Sequence, residues 1–112
     1  MIETKVIKYL KDNLNVPVYL EIPPDTTGKF IVIERTGGSG SSKLFTSTFA
    51  IQSYGPKLSD AIQLNQSVIK KMEAFPTSEG DVTGVTLNGY YNFTNTQTKQ
   101  RRYQAVFNIN HY

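Results

Sequence analysis

Side chains that could do chemistry are few in this sequence. It has no cysteine, and its single histidine is His111. The missing cysteines exclude a disulfide framework, a zinc–thiolate site and a thiol nucleophile. With one histidine, the sequence has too few candidate residues for a catalytic triad or a two-histidine zinc site. The carboxylates are scattered, with no spacing that would bring a pair together. We therefore expect no enzyme activity, no metal and no cofactor.

A stretch rich in glycine and serine, Gly37–Ser42, precedes Lys43 and has some features of a phosphate-binding loop. The Walker pattern requires Ser or Thr after the lysine and then a helix, whereas Leu44 and a predicted strand follow Lys43. The stretch also lacks the third glycine of a dinucleotide fingerprint. Its composition instead predicts a flexible loop between two strands, and long loops of this kind are often binding loops.

A basic cluster of Lys99, Arg101 and Arg102 stands beside Tyr103, with two further tyrosines upstream. Aromatic rings that stack on bases and cations that hold phosphates would suit a nucleic acid. Three charges over four residues is little, however, and the net charge of +3 is mild. A solvated hairpin tip or a protein contact is the simpler interpretation. A small nucleic-acid-binding domain that uses this hairpin is kept as the alternative function.

Two amphipathic helices are predicted to support these segments. The first ends before Pro17 and carries an apolar residue at every fourth position: Ile2, Val6, Leu10 and Leu14. The second runs from about Lys57 to Ala74 and ends at Pro76. Its apolar stripe comprises Leu58, Ala61, Ile62, Leu64, Val68, Ile69, Met72 and Phe75. Such stripes are typical of helices that lie on a sheet.

Five strands are predicted from β-branched, aromatic and alternating residues. They are Val18–Ile22, Phe30–Thr36, Leu44–Tyr54, Val82–Thr94 and Tyr103–Asn110. Pro23-Pro24 makes the first a short or edge strand. Asn88-Gly89 in the fourth is either a tight hairpin turn or a bulge, and the bulge is favoured because a turn would leave two marginal strands of four or five residues. The chain of 112 residues is therefore interpreted as a single α+β domain of order α-β-β-β-α-β-β. Its sheet is mostly antiparallel, and two helices pack on it.

The predicted outer strand faces carry uncharged polar residues where a dispersed monomer would carry Lys and Glu. These residues are Thr46, Thr48, Gln52, Gln104, Asn108 and Asn110. Because charged residues are depleted at the centres of protein interfaces, this pattern favours a subunit that assembles. No apolar run approaches the roughly 18 residues of a membrane span, so we expect no membrane partner.

Three segments resemble the small tail-terminator and tail-completion proteins of long-tailed phages and prophages of Gram-positive bacteria. This class includes head–tail joining proteins that are called minor capsid proteins. The matching segments are Phe49–Gly55 with the following helix residues Ala61, Leu64, Asn65, Val68 and Met72, then Tyr91–Thr94, and then Arg102–Phe107. The resemblance covers most of the chain and includes the predicted order of elements. It leaves open whether the chain is like the terminator or the neighbouring joining protein.

The resemblance implies a structural role in the virion. Proteins of this kind form a ring, usually a hexamer, at the head-proximal end of the tail tube. The ring stops tube polymerisation and gives the head connector a docking surface. The implied partners are further copies of the chain, the tail tube protein and a head-completion or connector protein. DNA would pass through the ring without specific binding. The implied location is the tail–head junction of the virion, and the host cytoplasm during assembly.

The resemblance brings no active site, but it indicates where contacts should lie. By analogy, the 37–43 loop and the 94–102 hairpin are expected contact elements, and the Pro23–Gly28 turn is a third. One of the first two would reach the neighbouring subunit and the other the tube or connector, and the sequence does not say which. The expected contact residues are Arg35, Gly38, Ser39, Gly40, Lys43, Lys99, Arg101 and Arg102. The arginines are the favoured interface charges because guanidinium makes bidentate contacts.

Overall fold

The computed structural model describes residues 2–21, 28–41, 44–78, 80, 82–94 and 101–112. Within these ranges the chain folds into helices packed on one five-stranded sheet. The elements are α1 (Ile2–Leu14), β1 (Val18–Tyr19), β2 (Phe30–Ser41), β3 (Leu44–Tyr54), α2 (Leu58–Glu73), α3 (Phe75–Ser78), β4 (Val82–Asn92) and β5 (Arg102–His111). The predicted α+β class and element order are confirmed, with the four-residue α3 added. None of the helices in the described ranges is long and apolar enough to cross a membrane.

The sheet has the strand order β1-β2-β3-β5-β4. β1 runs parallel to β2 and pairs with it at two positions, Val18 with Ile31 and Tyr19 with Val32. The other neighbouring strands are antiparallel. The prediction of a short edge strand is confirmed, because β1 has a partner on one side in this order. The opposite edge is formed by β4.

α1 and α2 lie on one side of the sheet, which is called the inner face here. The residues that repeat along each helix stripe supply one half of the core, and alternate residues of the strands supply the other. The core comprises Ile2, Val6 and Leu10 of α1, Leu64, Val68 and Met72 of α2, Phe75 of α3, and Val18, Ile31, Ile33, Phe49, Ile51, Val82, Ala105, Phe107 and Ile109 of the sheet. A smaller cluster of Phe30, Val32, Tyr54 and Tyr19 lies on the opposite, outer face.

The turn from β3 to α2 depends on Gly55. A Cβ at this position would lie 2.6 Å from the Cβ of Asp60 and 2.9 Å from the backbone nitrogen of Ala61. The lack of a side chain therefore lets the chain turn tightly against the first turn of α2. The Asp60 carboxylate accepts a hydrogen bond from the backbone N–H of Lys57 at 3.3 Å, which satisfies one of the groups left open at the helix start.

The prediction of a loop at 37–43 is wrong for residues 37–41, which the structure describes. β2 continues through Ser41, after a register shift between Arg35 and Gly37 that makes Thr36 a bulge. Gly38, Ser39 and Gly40 pair with Ser47, Thr46 and Phe45 of β3. The low strand propensity of glycine is overridden because β3 is long and offers a continuous backbone partner. Ser42 and Lys43 lie outside the described residues.

The predicted bulge at Asn88 is confirmed. Leu87 pairs with Phe107 and Gly89 with Val106, so Asn88 is an extra residue on β4. The end of the second helix differs slightly from the prediction. α2 ends at Glu73, and Pro76 is the second residue of α3, where its missing N–H costs no helical hydrogen bond.

Candidate interaction surfaces

The sheet has two ends, and the described residues of the two predicted contact elements lie at opposite ones. At the first, called the distal end, Ser41 pairs with Leu44 in the β2–β3 hairpin. At the second, called the proximal end, Tyr54 pairs with Arg102, where the β4–β5 hairpin begins. β3 spans the distance between them with eleven residues, which is roughly 35 Å of strand. The longest dimension of the chain is 43 Å, so these ends are its two tips.

At the distal end the ring of Phe45 lies over Gly40. A Cβ on Gly40 would be 2.4 Å from the Cδ1 atom of Phe45, so this arrangement requires glycine. On its other side Phe45 stacks on His111, with ring centroids 5.9 Å apart and an angle of 27°. Leu44 and Phe45 are each 45 % exposed. The predicted contact residue Gly40 therefore serves to hold an exposed aromatic ring across the hairpin.

Arg35 lies on the inner face beside the first turn of α1. Its Nη1 atom is 3.5 Å from Oε1 of Glu3, and its Nη2 atom is 3.0 Å from where a Cβ of Gly38 would be. Arg35 and Gly38 thus lie beside each other on the inner face, whereas Ser39 lies on the outer face opposite Thr46. An open cleft of about 330 Å³ borders this region, lined by Ile2, Glu3, Lys5, Arg35, Phe45, His111 and Tyr112.

A serine–histidine contact beside the cleft is structural. Oγ of Ser47 and Nε2 of His111 are 2.8 Å apart, a distance that would suit a nucleophile and its base. Ser47 is fully buried, however, so its hydroxyl is out of reach of a substrate. The pair therefore fixes the end of β5 against β3. Within the described residues, no group of three or more His, Cys, Asp and Glu could hold a metal ion.

At the proximal end Arg102 makes contacts within the chain. Its Nε donates to the carbonyl oxygen of Phe93 at 2.6 Å, and its Nη1 donates to the hydroxyl of Tyr54 at 2.9 Å. Its guanidinium also lies over both rings, 4.3 Å from the centroid of Phe93 and 5.7 Å from that of Tyr54. Arg101 is exposed beside it. Lys99, and the Pro23–Gly28 turn up to Thr27, lie outside the described residues.

Of the two upstream tyrosines, Tyr91 joins this basic cluster and Tyr90 does not: the ring centroid of Phe93 lies 5.9 Å from that of Tyr91 and 4.3 Å from the guanidinium carbon of Arg102. Tyr90 pairs with Ala105, an inner-face residue, whereas the next residue, Tyr91, pairs with Gln104 on the outer face. Successive strand residues project to opposite faces, so a single nucleic acid strand cannot stack on both rings. The hydroxyl of Tyr91 also accepts a hydrogen bond from Nε2 of Gln104.

The uncharged polar residues predicted on the outer face pair with each other across β3 and β5. The hydroxyls of Thr46 and Thr48 donate to the amide oxygens of Asn110 and Asn108, each at 2.8 Å. Gln52 donates to Gln104 at 3.0 Å, and both glutamines are almost fully buried. Sequence reasoning found these residues but missed their pairing. The signal that could have found it is the alternation of polar residues in both strands, because placing β3 antiparallel to β5 with these residues on one face brings the pairs together.

Comparison with solved structures shows where this fold also occurs. A chain in the structure of the virion of a native gene transfer agent particle superimposes on this one with a TM-score of 0.71 at 14 % sequence identity. The alignment covers 98 % of this chain and 93 % of that chain. No protein-family model matches the sequence, and no curated protein matches it. The likeness therefore establishes a shared fold over nearly the whole of both chains.

Proposed function

We propose that this chain is a structural, non-enzymatic subunit of a phage-like virion. More specifically, we propose that it forms a ring at the head-proximal end of a tail tube, ends tube polymerisation and joins the tail to the head connector. The observation that carries the proposal is the fold shared, nearly end to end, with a chain of the gene transfer agent virion. The resemblance of its sequence segments to tail terminators supports the finer role.

The two tips of the molecule support a joining role. A joint between tube and connector must bind a different partner at each end, and the described residues of the two hairpins lie at opposite ends of a molecule 43 Å long. The distal tip presents Leu44 and Phe45, and the proximal tip presents Phe93 and Arg101. Exposed aromatic residues and arginine are enriched in protein interfaces.

The edges of the sheet support a ring. A contact between two unlike surfaces of identical subunits closes into a ring when its rotation divides a full turn. The two sheet edges of this chain are unlike, because β1 and β2 form one and β4 forms the other. A net charge of +3 also suits a channel through which DNA passes without being gripped, since strong phosphate binding requires a dense basic surface.

The nucleic-acid-binding alternative gains no support. Arg102 is held by Phe93 and Tyr54, and the two adjacent tyrosines face opposite sides of the sheet. Among the described residues, the last hairpin therefore offers a nucleic acid one small basic and aromatic group, Arg102 with Phe93 and Tyr91, whose guanidinium is already engaged within the chain.

Mass in solution is the first test of the proposed function. Light scattering over a concentration series, with negative-stain images of the same samples, is expected to show rings of about six subunits with a central opening. If the chain stays monomeric at every concentration, purified tail tubes from the same phage or prophage are added. Failure to bind tube ends would then overturn the proposal.

Deletion of the gene in the phage or prophage that encodes the chain tests the finer role. We expect tails of uneven length that lack heads, together with filled heads that lack tails, and plasmid-borne protein is expected to restore whole particles. Normal, infectious particles without the protein would contradict a role in ending the tube and joining it to the head.

A further inference from the structure

We propose that neighbouring copies of this chain join by backbone pairing between the distal part of β2 in one copy and β4 in the next. One sheet would then continue from subunit to subunit. The inference rests on the proposed function for the ring, but the pairing is testable separately. Four observations carry it: two free edges, their composition, their directions and their matching levels.

Two strand edges are open in the described part of the chain. β1 covers β2 at Ile31 and Val32 only, so the stretch from Gly37 to Ser41 has β3 on one side and no strand on the other. β4 has β5 on one side and likewise no described strand beyond it. Each edge presents unpaired backbone N–H and C=O groups, which is a template for a further strand.

Neither edge carries the residues that usually prevent pairing. Natural edge strands are commonly protected by lysine, other charges or proline. The eleven residues of β4, Val82–Asn92, include no charged residue and no proline, and neither does the stretch Gly37–Ser41. β4 does have bulges at Thr83 and Asn88, which limit its regular part to Gly84–Leu87. The proposed pairing is therefore short, about four residues.

The directions of the two edges suit a rotating assembly. β2 runs toward the distal end, and β4 runs away from it, because three antiparallel pairings separate them in the sheet. A rotation axis parallel to the strands keeps these directions in every copy. It therefore places β4 of one copy antiparallel to β2 of the next. A two-fold axis perpendicular to the sheet would instead pair β4 with β4 and stop at a dimer.

The two edges also lie at the same level along the strands. Two rows of partners cross the sheet, the first through Gly37, Thr48, Asn108 and Thr86 and the second through Ser39, Thr46, Asn110 and Gly84. A rotation without a shift along its axis brings Gly37 opposite Thr86 of the next copy, and Ser39 opposite Gly84. Both rows are uncharged, so nothing in them opposes close approach of a second copy.

There is room at these positions for a chemical probe. No atom lies within 4 Å of where a Cβ of Gly37 would be, and at Gly84 the nearest is Nδ2 of Asn110 at 3.8 Å. Thr86 is exposed. Since the chain has no cysteine, any disulfide formed in a variant reports on the introduced positions alone.

Disulfide trapping tests the pairing. Chains with Gly37→Cys are mixed with chains with Thr86→Cys and oxidised mildly. Facing residues of antiparallel strands have Cα atoms about 4.5–5.5 Å apart, which is within reach of a disulfide. We expect a covalent dimer of one chain of each kind, and a ladder of covalent oligomers from a chain that carries both cysteines. Thermal unfolding of the reduced variants checks that they are folded.

The matched control is Gly37→Cys with Tyr90→Cys. Tyr90 is also exposed on β4 but lies on the inner face, at a more proximal level. We expect roughly tenfold less cross-linking in this mixture, because its Cα atoms would be beyond disulfide range. Equal cross-linking in both mixtures, or none with Thr86→Cys, would overturn the pairing. A Thr86→Cys homodimer that forms as fast as the mixed dimer would also overturn it.

The same samples separate this inference from the proposed function. If the unmodified protein forms rings but the Gly37→Cys and Thr86→Cys chains do not cross-link, the proposed pairing is wrong and the proposed virion role stands. Cross-links from a protein that forms no rings and binds no tail tubes would support the pairing and remove the role.

Discussion

The guanidinium carbon of Arg102 lies 4.3 Å from the centroid of the Phe93 ring, and its Nε donates to the carbonyl oxygen of the same residue. The backbone N–H of Phe93 in turn donates to the carbonyl oxygen of Arg102 at 2.9 Å. These contacts join the two strand segments of the last hairpin just beyond the end of β4. A partner that binds the proximal tip would therefore meet a surface that is already ordered, which lowers the entropy lost on binding.

Replacement of Arg102 by alanine is expected to lower the free energy of unfolding by about 2 kcal/mol. It removes two hydrogen bonds from a charged donor and the contact with the Phe93 ring. Arg102→Lys should recover only part of this, because an ammonium cannot reach both acceptors as the planar guanidinium does. Urea unfolding measures the change. Arg101→Ala, at an exposed neighbour, is the control and should stay within about 0.5 kcal/mol. Equal effects of the two alanine variants would contradict this role for Arg102.

Two buried serines on β3 give opposite predictions for the same substitution. Ser47 and Ser53 are both fully buried on the inner face, but the first contacts His111 and the second has no hydrogen-bond partner among the described residues. Ser47→Ala should cost about 1 kcal/mol, because a ring nitrogen of His111 loses its partner. Ser53→Ala should be neutral or stabilising, since it removes a polar group that gains nothing from burial. Thermal or urea unfolding of the two variants makes the comparison, and a larger loss from Ser53→Ala would contradict it.

The elements that the sequence predicts well are those with a clear local period. The stripe of Val6 and Leu10 in α1, and the alternation of Phe107 and Ile109 in β5, describe surfaces that must be buried whatever the rest of the chain does. The bulge at Asn88 was also predictable, because Asn-Gly interrupts an alternating pattern that resumes after it.

The parts that could not be predicted depend on partners far away in the chain. Local composition predicts a loop for Gly37–Ser41, and the strand forms because residues of β3 provide its hydrogen bonds. The role of Arg102 depends on Tyr54, which lies 48 positions away and comes close only through the register of β3 and β5. Sequence reasoning placed this arginine at a solvated hairpin tip or a partner contact, because a single sequence does not show that register.

The contact of Gly40 with Phe45 predicts a coupled pair of substitutions. Gly40→Ala should cost about 1–2 kcal/mol in the unmodified chain, because its methyl group would displace the Phe45 ring. The same change should cost little when Phe45 is already alanine, which a double-mutant cycle measures by unfolding. Gly37→Ala is the control. It should leave the free energy of unfolding unchanged or raise it, because the added Cβ meets open space and alanine restricts the unfolded chain. A cost for Gly40→Ala that persists without Phe45 would show that the ring is not the cause.

The arrangement of the last hairpin predicts weak binding to DNA. At about 0.15 M salt we expect no mobility shift of a duplex at micromolar protein, because Arg102 is engaged and the neighbouring tyrosines face opposite ways. Any binding at low salt should fall equally for Arg101→Ala and for Lys70→Ala, an exposed lysine on α2. A shift that persists at physiological salt and is lost in Arg101→Ala alone would revive the nucleic-acid-binding alternative.

A lysine at Thr86 should prevent assembly without affecting the fold. Thr86 is exposed on the edge strand, so Thr86→Lys should change the free energy of unfolding by no more than about 0.5 kcal/mol. In the proposed pairing, its ammonium group would be brought against Gly37 of the next copy, in a row of uncharged residues that offers no carboxylate to pair with it. Thr4→Lys, at an exposed position on α1, makes the same change in charge away from both edges and should assemble normally. Light scattering and negative-stain images compare the two variants. Rings formed equally by both would contradict the pairing, because a lysine on an edge strand opposes the addition of a further strand.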